Sequence, residues 1–581
     1  MACWPGLCSA HGVWRAAIPG RKVVLILFRN DTLLQESASM EMQRRLVLVG
    51  MFVVAYLLFW NWQKEHVSPS SAPSPVAAAA TPAAQGADIP QVATPAATTA
   101  AMPHDSTAKN LILARSDVLT LSIDPQGGDI TSLGLLQYPQ RQGGARPFSL
   151  FEDDRARTFI AQSGLIGPDG PDAAAQRPVY SSAQSVWTMP AGQDQMDVVL
   201  HDETPTAVID KIYHLQRGSY VIKIDYQVHN KTAKAWNANL FAQFKRDDSA
   251  DPSTQSGIRI SSFLGAAYWT ADKPYNKIAL KDLQKDALQL KEQGGWLALV
   301  QHYFVSAWIA DPGARTSYST RSQDGMNYLS MIAAPFSVAP GQTAQSSVRL
   351  YAGPKIQRNL SVLSPGLDLT VDYGWLWPIA EALFWLLVHI HQFIGNWGWS
   401  IVFLTIIVKA AFWPLSAASY RSMAQMRKIA PEMQRMREQY GEDRQKLSQA
   451  MMEFYRKEKI NPLGGCLPML VQMPVFIALY WTLMESVQLR HAPFIFWIHD
   501  LADMDHLFIL PLVMGVTMYV QQHLNPAPAD PTQAKMMKLM PVIFTGFFLF
   551  FPAGLVLYWV VSNLVSIAQQ WYVTQRLQAQ S

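Results

Sequence analysis

Between residues 399 and 570 the chain is dominated by apolar runs, at about 399–416, 466–486, 507–522, 538–553 and 554–570. Hydrocarbon offers no water to backbone amides, so runs of this kind fold as helices that satisfy their own polar groups. Roughly 20 apolar residues cross a ~30 Å hydrocarbon layer, so five membrane-spanning helices are expected. The last two are parted only by Pro552-Ala-Gly554, a tight hairpin. Residues 417–460 carry ten Lys or Arg against six Asp or Glu, whereas 487–506 set Arg490 against Asp500, Asp503 and Asp505. Lys and Arg accumulate on the cytoplasmic side. Residues 417–460 are therefore expected inside, as a helical hairpin turning at Gly441-Glu-Asp443, and 487–506 outside.

A sixth run, Leu46 to Trp62, follows Arg44 and Arg45. A cleaved signal peptide and an uncleaved anchor both begin this way, but Trp60, Trp62, Lys64 and Glu65 are a poor setting for small-residue cleavage. The expectation is an anchor over 40–66 with its N-terminus in the cytoplasm. Residues 1–39 read as a non-native extension, with Met40 or Met42 as the true start. Residues 67–108 hold 14 Ala and 7 Pro, so 67–109 is expected to be an extended linker.

From about 110 to 360 the period changes to two. In Val221 to His229, Ile222, Ile224, Tyr226 and Val228 alternate with Lys223, Asp225, Gln227 and His229. Val118–Asp124 and Ser347–Tyr351 alternate likewise, with turn signals such as Gly127-Gly128, Asp169-Gly170 and Gly341 between the runs. This predicts a large β-sandwich beyond the membrane. Residues 361–398 then supply a connection and, over Tyr373–Ile394, a Trp-rich amphipathic helix in the interface. Residues 399–570 form the five-helix core, and 571–581 a short cytoplasmic tail. The expected fold class is a multi-domain membrane protein with an α-helical membrane core (six transmembrane helices in total), an all-β sandwich domain and a cytoplasmic helical hairpin.

Several kinds of chemistry are excluded. A net charge of +4 leaves no dominant nucleic-acid-binding face. Three cysteines, Cys3, Cys8 and Cys466, make neither a disulfide framework nor a Cys-based zinc site. Phosphate-loop, His-Glu-x-x-His and Gly-x-Ser-x-Gly patterns are missing. His389 and His391 could be a metal pair, but on a helix they would point about 200° apart, so polar interfacial residues are the better reading. No catalytic residue, metal or cofactor is expected.

Lys409 stands apart. It lies inside an apolar run, roughly 10–15 Å from either end at ~1.5 Å per residue, where an ammonium costs about 2.5–3.5 kcal/mol. Either its stem snorkels to the cytoplasmic interface or it lines a wet cavity between helices. Thr405 lies one turn before it. Gln472 and Tyr480, Thr517 and Gln521, and Tyr558, Ser562 and Ser566 form polar stripes on other spans. Each stripe alone could be interhelical glue; together with Lys409 they point to a polar groove. Phe544, Phe547, Phe548, Phe550 and Phe551 suit the run 538–553 to lipid. Met423, Met426, Met433 and Met436 in the cytoplasmic hairpin are open to two readings, a packed hairpin core or an adaptable docking surface for apolar segments.

Asn461-Pro-Leu-Gly-Gly-Cys-Leu-Pro468, Gln472-Met-Pro474, Pro493-Phe with Trp497-Ile-His-Asp-Leu501, Met540-Pro-Val-Ile-Phe544 and Gly554-Leu-Val-Leu-Tyr558 with Ser562-Asn563 resemble the YidC/Oxa/Alb family of membrane insertases, in its Gram-negative form. The likeness runs from about Met40 to Gln570. It implies a periplasmic β-supersandwich and a groove open to cytoplasm and lipid. The family's groove cation, usually Arg, falls on Lys409, which keeps the charge and loses the bidentate fork. Its groove threonine falls on Thr405, and a last-span aromatic, often Tyr, on Trp559. The resemblance implies nascent inner-membrane proteins, the lipid bilayer, the Sec translocon with its accessory subunits and the translating ribosome as partners. Ribosome contact is the weaker expectation, because only Arg576 is charged after Tyr572.

The leading functional reading is an energy-independent insertase and chaperone of the bacterial inner membrane, with both termini cytoplasmic and no enzymatic activity. A secondary transporter would also line a pathway with polar stripes, but 399–486 and 507–570 show no inverted repeat. A third reading makes the β-domain a sugar-modifying enzyme. The linker predicts a β-domain that is largely dispensable for insertion.

Overall fold

The structure, a computed structural model, describes residues 88–90, 110–173, 177–253, 262–441, 443–458, 467–525 and 531–579. All of them belong to one compact unit, Ala77–Ser581. The expected extension, the anchor, the three cysteines and most of the linker lie outside the described residues.

Alternation builds the first half. Two sheets, of eleven and nine strands, carry Ile112 to Pro354. In the smaller sheet Val221–Asn230 lies antiparallel between Ala207–Gln216 and Thr343–Pro354. Its Ile222, Ile224, Tyr226 and Val228 are buried against the other sheet, and Lys223 and His229 are exposed. Asp225 departs from the expected polar face: it is buried beneath His214 and Lys223, at 2.9 and 2.8 Å. In the larger sheet Trp236–Asp247 lies between Thr158–Ile166 and Met326–Ala333. Trp236, Trp296, Trp308, Phe148, Phe151 and Phe159 fill the interior. Each large side chain buried there contributes roughly 1.5–3 kcal/mol.

Lys211 occupies a core position, in phase with Ile209, Tyr213 and Leu215, and is 0% exposed. Its Nζ donates to the carbonyls of Gly127, Gly128 and Ser163 at 3.0, 2.8 and 3.0 Å. Gly127 and Gly128 take φ of 77° and 63°, a region nearly closed to other residues, and so turn two carbonyls onto one ammonium. Burial pulls the Lys211 pKa down to about 7, with Asp129 opposing, Arg177 adding to the fall and Asp172 opposing.

Helices follow: α1 (Gln357–Leu363), α2 (Trp377–Ile394), α3 (Trp397–Ala411), α4 (Trp413–Tyr440), α5 (Arg444–Lys457), α6 (Leu467–Glu485), α7 (Ile509–Leu524), α8 (Pro531–Phe548) and α9 (Ala553–Ala579). α2 is the expected amphipathic helix. It buries Ala380, Leu383 and Leu387 and exposes Trp377, Trp385 and Phe393. Its two histidines diverge, His389 bonding the Trp385 carbonyl at 2.7 Å and His391 stacking on Trp397. Asp443 caps α5 through the amides of Gln445 and Lys446, closing the hairpin at the expected turn.

One expectation needs correction. The run 399–416 is not one helix: α3 ends at Ala411, and the axis bends by 66° into α4. Pro414 in the first turn of α4 has no N–H with which to continue the ladder. Lys409 therefore sits on the last turn of α3, beside the bend. α9 continues through 571–579, so the residues expected as a short tail extend that helix. Among the described residues, only Ala553–Arg576 is by itself long and apolar enough to cross a membrane, and the bent pair α3–α4 passes as one broken span.

The β-domain is bonded to the helices. Lys355 and Glu485, with side chains 2% and 5% exposed, pair at 2.6 Å. His302 Nε2 meets the Met484 carbonyl at 2.9 Å. Arg490 reaches the Gln140 carbonyl and lies over Phe148 and Phe304.

Candidate functional site

The polar residues of the helical half converge where α3, α6 and α9 meet. Lys409 is 6% exposed. Its Nζ donates to Gln472 Oε1 at 3.0 Å and Ser566 Oγ at 2.8 Å. Gln472 turns its amide nitrogen toward Tyr558 Oη and Ser562 Oγ, at 3.5 and 3.4 Å. Ser566 Oγ in turn donates to the Ser562 carbonyl at 2.8 Å, one helical turn back. Among the described residues no carboxylate pairs with Lys409. A small cavity lined by Lys409, Phe412, Leu415, Ser416 and Gln472 opens at the α3–α4 bend. Where the sequence predicts a polar groove, these side chains bond one another, with Gln472 as a bridge between α3 and α9.

The other candidates are distributed around this cluster. Thr405 is fully buried and back-bonds to the Ile401 carbonyl at 2.7 Å. Thr517 accepts from Asn563 Nδ2 at 3.1 Å, which joins α7 to α9 by a separate contact. Gln521 is half-buried on α7 and shares no hydrogen bond with Lys409 or Gln472. Tyr480 packs against Trp481 and Phe551. Trp559 does not join the polar cluster beside Tyr558: it turns to Phe476, Phe544 and Phe548. Adjacent helix positions lie about 100° apart, so only one of this pair can face Lys409. Ser566, on the same i, i+4 stripe as Tyr558 and Ser562, and Asn563, a polar residue inside the same apolar run, complete the contacts.

The Phe-rich end of α8 is divided. Phe547 and Phe550 are exposed, while Phe548 is buried against Trp559. On α7, Leu512, Val513, Val516, Tyr519 and Val520 form an exposed apolar face. Gly515 lets α7 approach α8 closely, since a Cβ there would fall 2.1 Å from Thr545 Oγ1. In the hairpin, Met423, Met426, Met433 and Met436 are all half-buried, and Met433 receives the Tyr455 hydroxyl of α5 at 3.4 Å. Arg427 of α4 donates to the carbonyls of His523 and Leu524 at the end of α7, seating the hairpin on the core.

Residues 112–386 match the model of the YidC periplasmic domain, and 389–580 that of the 60Kd inner membrane protein. The membrane protein insertase YidC of Pseudomonas fluorescens is 50% identical over 93% of this chain and 99% of its own length. The chain belongs to the YidC family. The membrane protein insertase YidC of Pseudomonas aeruginosa is 51% identical over the same shares of the two chains. Among solved structures, the chain is similar to an active YidC insertase crystal structure with its first transmembrane domain resolved. That likeness has a TM-score of 0.38 and 17% identity, and covers 80% of this chain and 93% of the other. The β-sandwich is this family member's periplasmic-domain module, and the helical half is its inner-membrane module.

Proposed function

We propose that this family member is a membrane protein insertase and chaperone that acts without a nucleotide or catalytic residue, alone or with the Sec translocon. One observation carries the reading: a lysine without a described carboxylate partner sits at a helix bend, among polar side chains, next to apolar faces. An incoming chain's hydrophilic leading end exchanges with Gln472 and Ser566 at Lys409, which shortens its path across hydrocarbon. Its apolar segment then moves along α7 and α8 into lipid, driven by its own partitioning. Thr405, Thr517, Gln521, Tyr480, Tyr558, Trp559 and Ser562 line or support that route, and Met423, Met426, Met433 and Met436 form the surface that first receives the client.

The topology that fits is six spans with both termini cytoplasmic, counting the anchor at 46–62, and the β-domain in the periplasm. Nascent inner-membrane proteins and lipid are the principal partners; the Sec translocon, its accessory subunits and, more weakly, the ribosome complete the set. The test is depletion of the protein in its host, followed by a survey of which membrane proteins lose integration. Loss across many unrelated membrane proteins supports the reading. A fall in the uptake of one solute alone would sink it and favour a transporter.

A further inference from the structure

Three residues from the middle of the Ala/Pro-rich linker, Asp88, Ile89 and Pro90, lie on the outer face of the larger sheet. That stretch, 67–108, contains two carboxylates, Asp88 and Asp105, and Asp88 is read by three side chains at once. Gln243 Nε2 donates to its main-chain carbonyl at 2.7 Å. Lys245 Nζ reaches Oδ2 at 2.8 Å, and the Tyr328 hydroxyl donates to Oδ1 at 2.9 Å.

The register of the sheet builds this reader. Gln162, Gln243 and Ser330 stand directly opposite one another on three adjacent strands, and Lys245 stands opposite Tyr328. All five lie on the face away from the sandwich core, out of phase with Ala242 and Phe244. Gln243 is 1% exposed. The Ser330 hydroxyl donates to its Oε1 at 2.6 Å, and its Nε2 also donates to Gln162 Oε1 at 2.9 Å. These two bonds fix which way the carboxamide points, so its remaining N–H is aimed at a carbonyl. Gln162 is held in its turn by Asp129 at 2.8 Å. A neutral donor for a main-chain carbonyl beside a cation and a phenol for a carboxylate is a recognition set for an acidic peptide. The burial of Tyr328, with the Asp88 carboxylate beside it, raises its pKa and keeps it a donor.

We propose that this outer face is a docking site for the chain's own linker, held at Asp88–Pro90, so that the membrane anchor is tethered to the β-domain at Asp88 and not first at Ile112. Residues 67–87 alone then separate the anchor from the domain. The linker is a pinned strap rather than a free tether.

The test uses the full chain in detergent micelles and a fluorescent peptide with the sequence Gly86 to Val92. In the wild-type chain the resident segment, at an effective concentration of order millimolar, keeps the peptide out. Asp88→Ala should vacate the face and bind the peptide at least tenfold more tightly than wild type. Adding Lys245→Ala, at a partly exposed position, should cost at least tenfold of that binding. Adding Gln243→Leu should abolish it, with circular dichroism showing that the sandwich still melts cooperatively. Equal binding by the wild-type and Asp88→Ala chains, no binding by Asp88→Ala at millimolar peptide, or indifference to Lys245→Ala would each overturn the proposal.

Discussion

Of the lysines buried among the described residues, Lys355 pairs with Glu485, whereas Lys211 and Lys409 have no described carboxylate partner and are treated in opposite ways. Lys211 in the β-domain is surrounded by three main-chain carbonyls, so each of its N–H groups has a partner that cannot swing away. Lys409 in the helical half has two side-chain acceptors, Gln472 and Ser566, on two different helices. A cation fully bonded by backbone is structural, because nothing can replace those acceptors without unfolding the turn at Gly127-Gly128. A cation held by rotatable side chains can exchange them for an incoming group. Burial alone therefore does not separate a fixed lysine from one that can exchange its partners; the identity of its acceptors does.

The largest expected effect breaks the structural half of that contrast. Lys211→Met should destabilise the β-domain by about 3–5 kcal/mol, because buried carbonyls lose their donors. Lys409→Met should leave the melting of the full chain nearly unchanged. Thermal unfolding followed by circular dichroism checks both, and equal losses would mean that Lys409 is structural too.

The second effect is a pH dependence. The folded-state pKa of Lys211, about 7, lies below the ~10.4 of a free lysine. Between those values the unfolded chain binds the extra proton, so stability should rise with pH by up to about 1.4 kcal/mol per unit. Denaturation midpoints between pH 7.5 and 9 read this slope, and Lys211→Met should flatten it.

The third concerns Lys409 as a charge. Lys409→Arg should be nearly neutral for insertion. Lys409→Ala should lose efficiency in step with the number of acidic residues ahead of a client's apolar segment, and Lys409→Glu should lose about tenfold, ~1.4 kcal/mol, for a client with two. One single-span client carrying zero, one or two such residues is enough. If the wild-type and Ala chains insert all three equally, the charge mechanism fails.

The smallest effect sharpens the exchange idea. Gln472→Leu removes one acceptor from Lys409 and should raise the preference for acidic clients by about twofold in the same assay. An unchanged preference would show that Gln472 does not compete with the client.

Where a feature depends on neighbours in sequence, it was legible. The alternation at Ile222, Ile224, Tyr226 and Val228 appears in the structure as a buried face, because a strand's period is set by its own backbone. The hairpin turn at Gly441–Asp443 and the amphipathic helix over Trp377–Ile394 follow for the same reason. Lys409, Gln472, Tyr558 and Ser562 could be nominated because polar residues inside apolar runs are costly. Lys211 gives no such signal, since a lysine in a strand is ordinarily expected on the solvated face. Trp559, where the resemblance puts the family's last-span aromatic, instead meets Phe476, Phe544 and Phe548.

The sequence by itself determined the division of this protein: a β half, an apolar helical half, a basic hairpin between two apolar runs, and one lysine inside an apolar run. Each of these follows from composition or periodicity within a few dozen residues. The tertiary structure alone decided that Gln472 and Ser566 hold that lysine, that the first core helix breaks at Ala411, that Lys355 meets Glu485, and that Asp88 rests on Gln243, Lys245 and Tyr328. Apart from the break, these are contacts between residues far apart in the chain. A period shows which face of an element is apolar, but not which polar group from another element will arrive to satisfy a buried donor.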